Sequence, residues 1–188
     1  MYNKIDKEII KSLTDISGSE NVIYDNENLE LYSRDYTENL SFLPEVIIKP
    51  ADAKEISEIL KLANIHLIPV VPRGGGTGLS GGALPLYGGI CLSMERFKKI
   101  IEIDCENYQA TVEPGVITQI FQENCEELGL YYPPDPASRG SSFLGGNLAE
   151  CSGGPRAVKY GVTKDYVLRL EVVLPTGEII STGAKVLK

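Results

Sequence analysis

Between Pro72 and Gly82 the sequence reads Pro-Arg-Gly-Gly-Gly-Thr-Gly-Leu-Ser-Gly-Gly, fed by the apolar run Ile68 to Val71. So many residues without a Cβ let backbone N–H groups converge on one point, and convergent amides are a grip for a phosphate group. A flexible Gly/Ser linker is the plain alternative, but such linkers are not introduced by Pro-Val-Val-Pro-Arg or closed by Ala-Leu-Pro-Leu. A second cluster of glycines and hydroxyls runs from Tyr131 to Gly161 and is too long to be a turn.

Two familiar phosphate motifs can be tested against the first stretch. Gly76-Thr-Gly78-Leu-Ser-Gly81 satisfies G-x-G-x-x-G, but that motif needs a helix opening at its last glycine, and Pro85 with Gly88-Gly89 breaks any helix there. No lysine stands in the loop, so it is not a P-loop of the nucleotide-hydrolysing kind. The 18 basic and 26 acidic residues give a net charge of −8, which argues against nucleic acid or anionic lipid as partners. One bound pyrophosphate is compatible with that charge, because amides carry no formal charge and Arg73 adds a local one.

The single histidine, His66, excludes a His-rich metal site or a triad drawing on another histidine, and it reads as structural. Cys91, Cys105, Cys125 and Cys151 form no C-x-x-C pair and read as small core residues of a protein in a reducing compartment. Met1 to Asp6 is polar and no long apolar run follows, so a cytoplasmic protein with no transmembrane segment is expected.

The elements around these stretches follow from periodicity. Ile5, Ile9, Ile10 and Leu13 predict an opening helix ended by Ser17-Gly18, and Asn28 to Tyr32 a short helical turn. Arg34-Asp35-Tyr36-Thr37 is a polar knot of no evident purpose, its Arg–Asp pair reading as a solvated salt bridge. Glu45 to Lys49 predicts a strand stopped by Pro50. A helix follows from Ala53 to Asn64, with Asp52 as its cap and Glu55 in the capping-box position, and then a strand from Leu67 to Val71. That is a parallel strand–helix–strand unit delivering the chain to the glycines. Further strands are expected at 89–93, 100–103 and 109–113. A helix is expected over 116–128 through Ile117, Ile120, Phe121 and Leu128, closed by Gly129, and a scaffold hairpin from strands 166–174 and 178–181. The fold class is α+β.

At the two glycine stretches a resemblance becomes specific. Pro72 to Gly82, Pro134-Asp-Pro-Ala-Ser138, Leu144-Gly-Gly-Asn147, Ser152-Gly-Gly154, Tyr160-Gly161 and Val172 to Gly177 together resemble the PCMH-type FAD-binding domain of the vanillyl-alcohol-oxidase superfamily. D-lactate dehydrogenases and the FAD subunit of glycolate oxidase are the members most alike. The resemblance implies two small α/β subdomains, about 1–103 and 104–188, with FAD between them. It implies that Pro72, Arg73, Gly74, Gly75, Gly76, Thr77, Gly78 and Leu79 wrap the pyrophosphate. Asp135, Ser138 and Ser142 would pass the ribityl chain and flavin, and Gly145, Gly146, Glu150, Ser152, Gly153 and Gly154 would form a second cofactor-contacting turn. Tyr160, Gly161 and Val162 would lie near the adenine or ribityl side. For Gly145, Gly146 and Gly161 tight packing or turn geometry is an equal explanation.

Two departures qualify it. Covalent relatives carry histidine where Thr77 stands, so non-covalent FAD is implied. Relatives also continue past residue 188 into the rest of the FAD domain and a substrate domain with its catalytic histidines and arginine, so the chain is expected to be C-terminally incomplete, and no catalytic or metal-binding residue is nominated. By resemblance, the whole protein would oxidise a D-2-hydroxy acid of the D-lactate, glycolate or D-2-hydroxyglutarate type, with an electron-transfer protein or a quinone as acceptor. The rivals are a non-catalytic FAD-binding fragment or subunit needing another polypeptide, and the chemistry of ether-lipid synthases, which share the flavin fold.

Overall fold

The computed structural model describes residues 2–186. The chain opens with helix α1, Lys7–Ser17, started by Asp6, whose carboxylate accepts the Glu8 and Ile9 N–H groups, and stopped at Gly18 in the left-handed region. Strand β1 (Val22–Ile23), helix α2 (Asn26–Leu31) and strand β2 (Val46–Ile48) follow. Helix α3, Ala53–Ile65, is capped by Asp52 as expected, while Glu55 reaches back to the Ala51 N–H at 2.9 Å. Strand β3, Val70–Arg73, starts later than the apolar run suggests. Leu67 is spent at φ +53 ending the helix, a place that usually takes glycine.

Strand β4, Ile90–Ser93, lies between β2 and β3 and runs parallel to both, with β1 antiparallel on the outer side of β2. Both central strands are buried throughout, as continuous apolar runs in a parallel sheet require. Their alternation sends Val46, Ile48, Ile90 and Leu92 into one core with Ile9, Leu13, Ile59 and Ala63 of the helices. Ile47 and Cys91 go to the other face, with Leu29.

Strands β5 (Ile100–Asp104) and β6 (Gln109–Val112) form an antiparallel hairpin. Helix α4, Thr118–Glu127, buries Thr118, Phe121, Gln122 and Cys125 and leaves Ile120 and Leu128 exposed. The expected face is therefore rotated, because two of its inward positions are polar residues with buried partners. Helices α5 (Leu144–Ala149) and α6 (Ala157–Tyr160) and a 3₁₀ turn at Thr163–Tyr166 complete this region, so the strand expected from Tyr166 begins only at Arg169. Its core gathers Val116, Phe121, Cys125 and Leu144. Strands β7 (Arg169–Val173) and β8 (Ile179–Gly183) form the last hairpin.

The molecule divides into one unit made of the chain up to Arg96 with the stretch from Leu168 onward, and a second running over Phe97–Val167. This differs from a boundary at 103/104 in two ways. β5 stays with its hairpin partner β6, and the β7–β8 hairpin returns to α3, where Ser57 Oγ donates to the Gly177 carbonyl and Asn64 Nδ2 to that of Pro175. The α+β class stands. Of the cysteines, Cys91 and Cys125 are core residues, but Cys105 is exposed and Cys151 half-buried, and all four are free thiols.

Candidate FAD site

In the first unit the glycine stretch leaves the carboxyl end of β3, and no helix follows it before β4. Among the described residues, the N–H groups of Gly74, Gly75, Gly76, Thr77, Gly78 and Leu79 donate to no main-chain carbonyl. A run of amides without main-chain acceptors on a partly exposed loop fits an anionic group that takes several hydrogen bonds at once. Gly76 sits at φ +67, and an added Cβ would fall on the Arg73 guanidinium. Pro72 is exposed on β3, and Leu79 projects with 76% of its surface exposed.

Arg73 behaves as a strut. Its side chain is buried; Nη2 donates to the Arg34 carbonyl at 2.7 Å, Nη1 lies 3.5 Å from the Tyr32 carbonyl, and the guanidinium stands 5.5 Å from the Tyr32 ring centre. Tyr32 also faces the Lys49 ammonium at 5.6 Å and donates its hydroxyl to Glu95, which pairs with Lys49 at 2.7 Å. Burial and the neighbouring Glu95 carboxylate raise the Tyr32 hydroxyl above its ordinary value. Burial works to raise Glu95 as well, but hydrogen bonds from Lys49 and Tyr32 outweigh it and hold the carboxyl low. Lys49, Arg73 and Glu95 thus gather at the carboxyl ends of β2, β3 and β4, where open α/β sheets bind ligands.

The polar knot at 34–37, given no purpose by the sequence, lies against this loop. Tyr36 N–H donates to Gly78 O at 3.1 Å, and Gly81 N–H to Thr37 Oγ1 at 2.8 Å. Asp35 uses Oδ1 to accept the Thr37 N–H, so the expected Arg34–Asp35 salt bridge is replaced by an Asx turn, while its Oδ2 is buried with no hydrogen-bond partner.

The second unit holds the remaining candidates. Asp135, its side chain 12% exposed, accepts from Arg139 at 3.1 Å and Arg156 at 3.3 Å, and its N–H donates to Gly153 O. Gly154, at φ +107, packs so closely on the Asp135 carbonyl that no Cβ fits. Asp135, Gly153 and Gly154 are therefore brought together, 18 to 19 residues apart in sequence. Ser138 offers its carbonyl to the Ser141 and Ser142 N–H groups. Ser142 is turned inward: its Oγ lies 3.0 Å from Thr118 Oγ1, which donates to Ser142 O and accepts from Asn147 Nδ2. Gln122 Nε2 ties α4 to the Pro134 carbonyl.

Gly145 and Gly146 lie within α5 where a turn was expected, because Phe143 and Leu144 open a helix whose Gly145 N–H bonds to Pro114 O. A Cβ on Gly145 would meet Pro114, so packing explains this glycine. One on Gly146 would have nothing within 4 Å. Glu150 is exposed, and Ser152 O holds the Thr163 hydroxyl. Gly161 turns the chain at φ +85 over the Asp165 carboxylate, which accepts the Val162 N–H, and the Tyr160 carbonyl accepts from Tyr166. Burial pushes the nearby Tyr132 hydroxyl up to about 12.

A family profile described as "FAD binding domain" matches residues 44–183. This chain belongs to the FAD-binding domain family. The match embraces the glycine loop and every candidate residue of the second unit, so the cofactor is FAD. Among relatives, the glycolate oxidase subunit GlcD of Bacillus subtilis is 47% identical over 98% of this chain, and the D-lactate dehydrogenase of Anaerostipes hadrus 38% identical over all of it. This FAD-binding domain spans 39% of the length of each. Its fold is also that of a solved alkyldihydroxyacetonephosphate synthase, with a TM-score of 0.84 at 22% identity over 97% of this chain and 35% of that one. Fold is all that this last likeness shows. Among the described residues, no helix is long and apolar enough to cross a membrane.

Proposed function

We propose that the chain is the FAD-holding portion of a flavin-dependent oxidoreductase that converts a D-2-hydroxy acid of the D-lactate, glycolate or D-2-hydroxyglutarate type to the 2-oxo acid. The observation that carries the cofactor half is the run of loop amides from Gly74 to Leu79 with no main-chain acceptor. Similarity to a glycolate oxidase subunit and a D-lactate dehydrogenase supports the substrate half. When bound, the flavin would supply the hydride acceptor.

The protein's own part is to bind and orient. Gly74 to Leu79 would hold the pyrophosphate through main-chain N–H groups, with Pro72 at the base of the loop. Asp135, Ser138, Gly146, Glu150 and Ser152 to Gly154 would line the path of the ribityl chain and ring, and Tyr160 to Val162 would contribute beside it. Arg73, Ser142 and Gly145 would act from behind, through the contacts already described. Thr77, standing where covalent relatives have histidine, favours non-covalent attachment. Free thiols at all four cysteines favour a reducing, cytoplasmic setting. An electron-transfer protein or a quinone would reoxidise the flavin.

A second reading is favoured by one observation. The relative from Bacillus subtilis is itself named a subunit, and by that likeness the protein would be a non-catalytic FAD-binding subunit that works with another polypeptide. The test of the main reading is an absorbance spectrum of the intact protein before and after acid precipitation, then with D-lactate or D-2-hydroxyglutarate. Yellow colour released into the supernatant and bleaching by a hydroxy acid are expected. A colourless protein that takes up no added FAD would refute the cofactor assignment, and a yellow one that no 2-hydroxy acid bleaches would refute the substrate class.

A further inference from the structure

We infer that Arg34–Thr37 is a brace that presets the pyrophosphate loop, and that Thr37 is a positioning residue for FAD through its hydroxyl. The inference rests on the reading that the loop amides hold the pyrophosphate. Every residue of this segment is engaged with the loop or with its neighbour. The Arg34 carbonyl takes Arg73, the last residue of β3 before the glycines. Asp35 Oδ1 fixes the Thr37 N–H in a turn. Tyr36 N–H donates to the Gly78 carbonyl, and Thr37 Oγ1 accepts from the Gly81 N–H. The brace thus consumes one carbonyl and one amide of the loop and leaves the amides from Gly74 to Leu79 without main-chain acceptors.

The physical reason to expect an effect on binding is conformational freedom. A loop with glycines at 74, 75, 76, 78, 81 and 82 loses much backbone entropy when its amides are aligned on a ligand, unless the protein has already fixed it. Gly81 lies at φ +75, one of many conformations open to glycine, and the Thr37 hydroxyl holds it there from 44 residues away. Threonine can be replaced by valine with almost no change in shape, which removes the acceptor and leaves the side chain's packing in place.

The test compares wild type, Thr37→Val and Thr37→Ser in the intact protein. It measures dissociation constants for FAD and for FMN, which lacks the pyrophosphate, and the melting temperature of the apoprotein. The valine variant should bind FAD about tenfold more weakly, with FMN binding unchanged and melting within about two degrees of wild type, and serine should restore FAD affinity. Equal FAD affinity in wild type and valine variant would overturn the brace. So would parallel losses for FAD and FMN with a lowered melting temperature, which mark a merely structural residue. Wild-type protein that binds no FAD would instead sink the site assignment on which the brace rests.

Discussion

Replacing Arg73 separates a cofactor cation from a structural strut. If Arg73 served mainly as a positive charge for the pyrophosphate, lysine would replace it well. The structure instead gives it a 2.7 Å bond from Nη2 to the Arg34 carbonyl and lays its guanidinium 5.5 Å from the Tyr32 ring centre. A hydrogen bond from a charged group contributes about 1.5–3 kcal/mol, and a partly desolvated cation–π contact about 1 kcal/mol. Nη1, at 3.5 Å from the Tyr32 carbonyl, adds little. Arg73→Ala should therefore lose about 3 kcal/mol of apoprotein stability. Arg73→Lys, with a point charge and no planar fork, should lose about 2 kcal/mol. The chain has no tryptophan, so urea unfolding is best followed by circular dichroism, with FAD uptake followed by flavin fluorescence. A lysine variant as stable as wild type and as tight for FAD would refute the strut and return Arg73 to a purely electrostatic role.

Two glycines should respond in opposite senses. Gly154→Ala, at φ +107 against the Asp135 carbonyl, should cost about 3 kcal/mol or prevent folding of the second unit, read by thermal melting. Gly146→Ala, in a helix with open space where the methyl would go, should stabilise the apoprotein by roughly 0.5–1 kcal/mol while weakening FAD, if the cofactor uses that space. Thr118→Val strands Asn147 Nδ2 and the Ser142 hydroxyl and should lower the urea midpoint by an amount equal to about 3 kcal/mol; a neutral result would show the network to be dispensable. The Glu95 carboxyl sits below its ordinary value in the folded chain, so its stabilising contribution is present above that ordinary value, near 4.5, and is lost as pH falls through the lower folded one. Glu95→Gln should flatten this acid limb in melting temperature against pH, and an unchanged slope would contradict it.

What was legible in the sequence was what depends on local pattern. The Asp52 cap, the strands at β2 and β4, and the lack of a helix after Gly81 all follow from neighbouring residues, and the structure agrees at each. The glycine loop was legible as a loop, because six glycines in so short a span disfavour helix and strand alike. What escaped was decided at a distance. Leu67 takes a left-handed conformation because α3 must end there to return Ile68 to the core. Thr118 and Gln122 face inward because Ser142 and Pro134, far along the chain, supply their partners. The 34–37 segment looked idle since its partners lie some 40 residues on; an Asp-x-Thr turn was its one local signal. Gly145 and Gly146 read as a turn because glycine is rare in helices, and only the Pro114 contact shows why one is tolerated.

The return of the β7–β8 hairpin to α3 has a consequence for how the chain is made. Ser57 meets Gly177 across 120 residues, so the first unit is not finished when its sheet is; the hairpin that packs on α3 is synthesised after the whole of Phe97–Val167 has emerged. The second unit is thus an insertion, continuous in sequence, between two parts of the first. Until the last part is made one side of α3 is bare, and the β7–β8 hairpin covers it through the Pro175 to Gly177 turn together with its two strands.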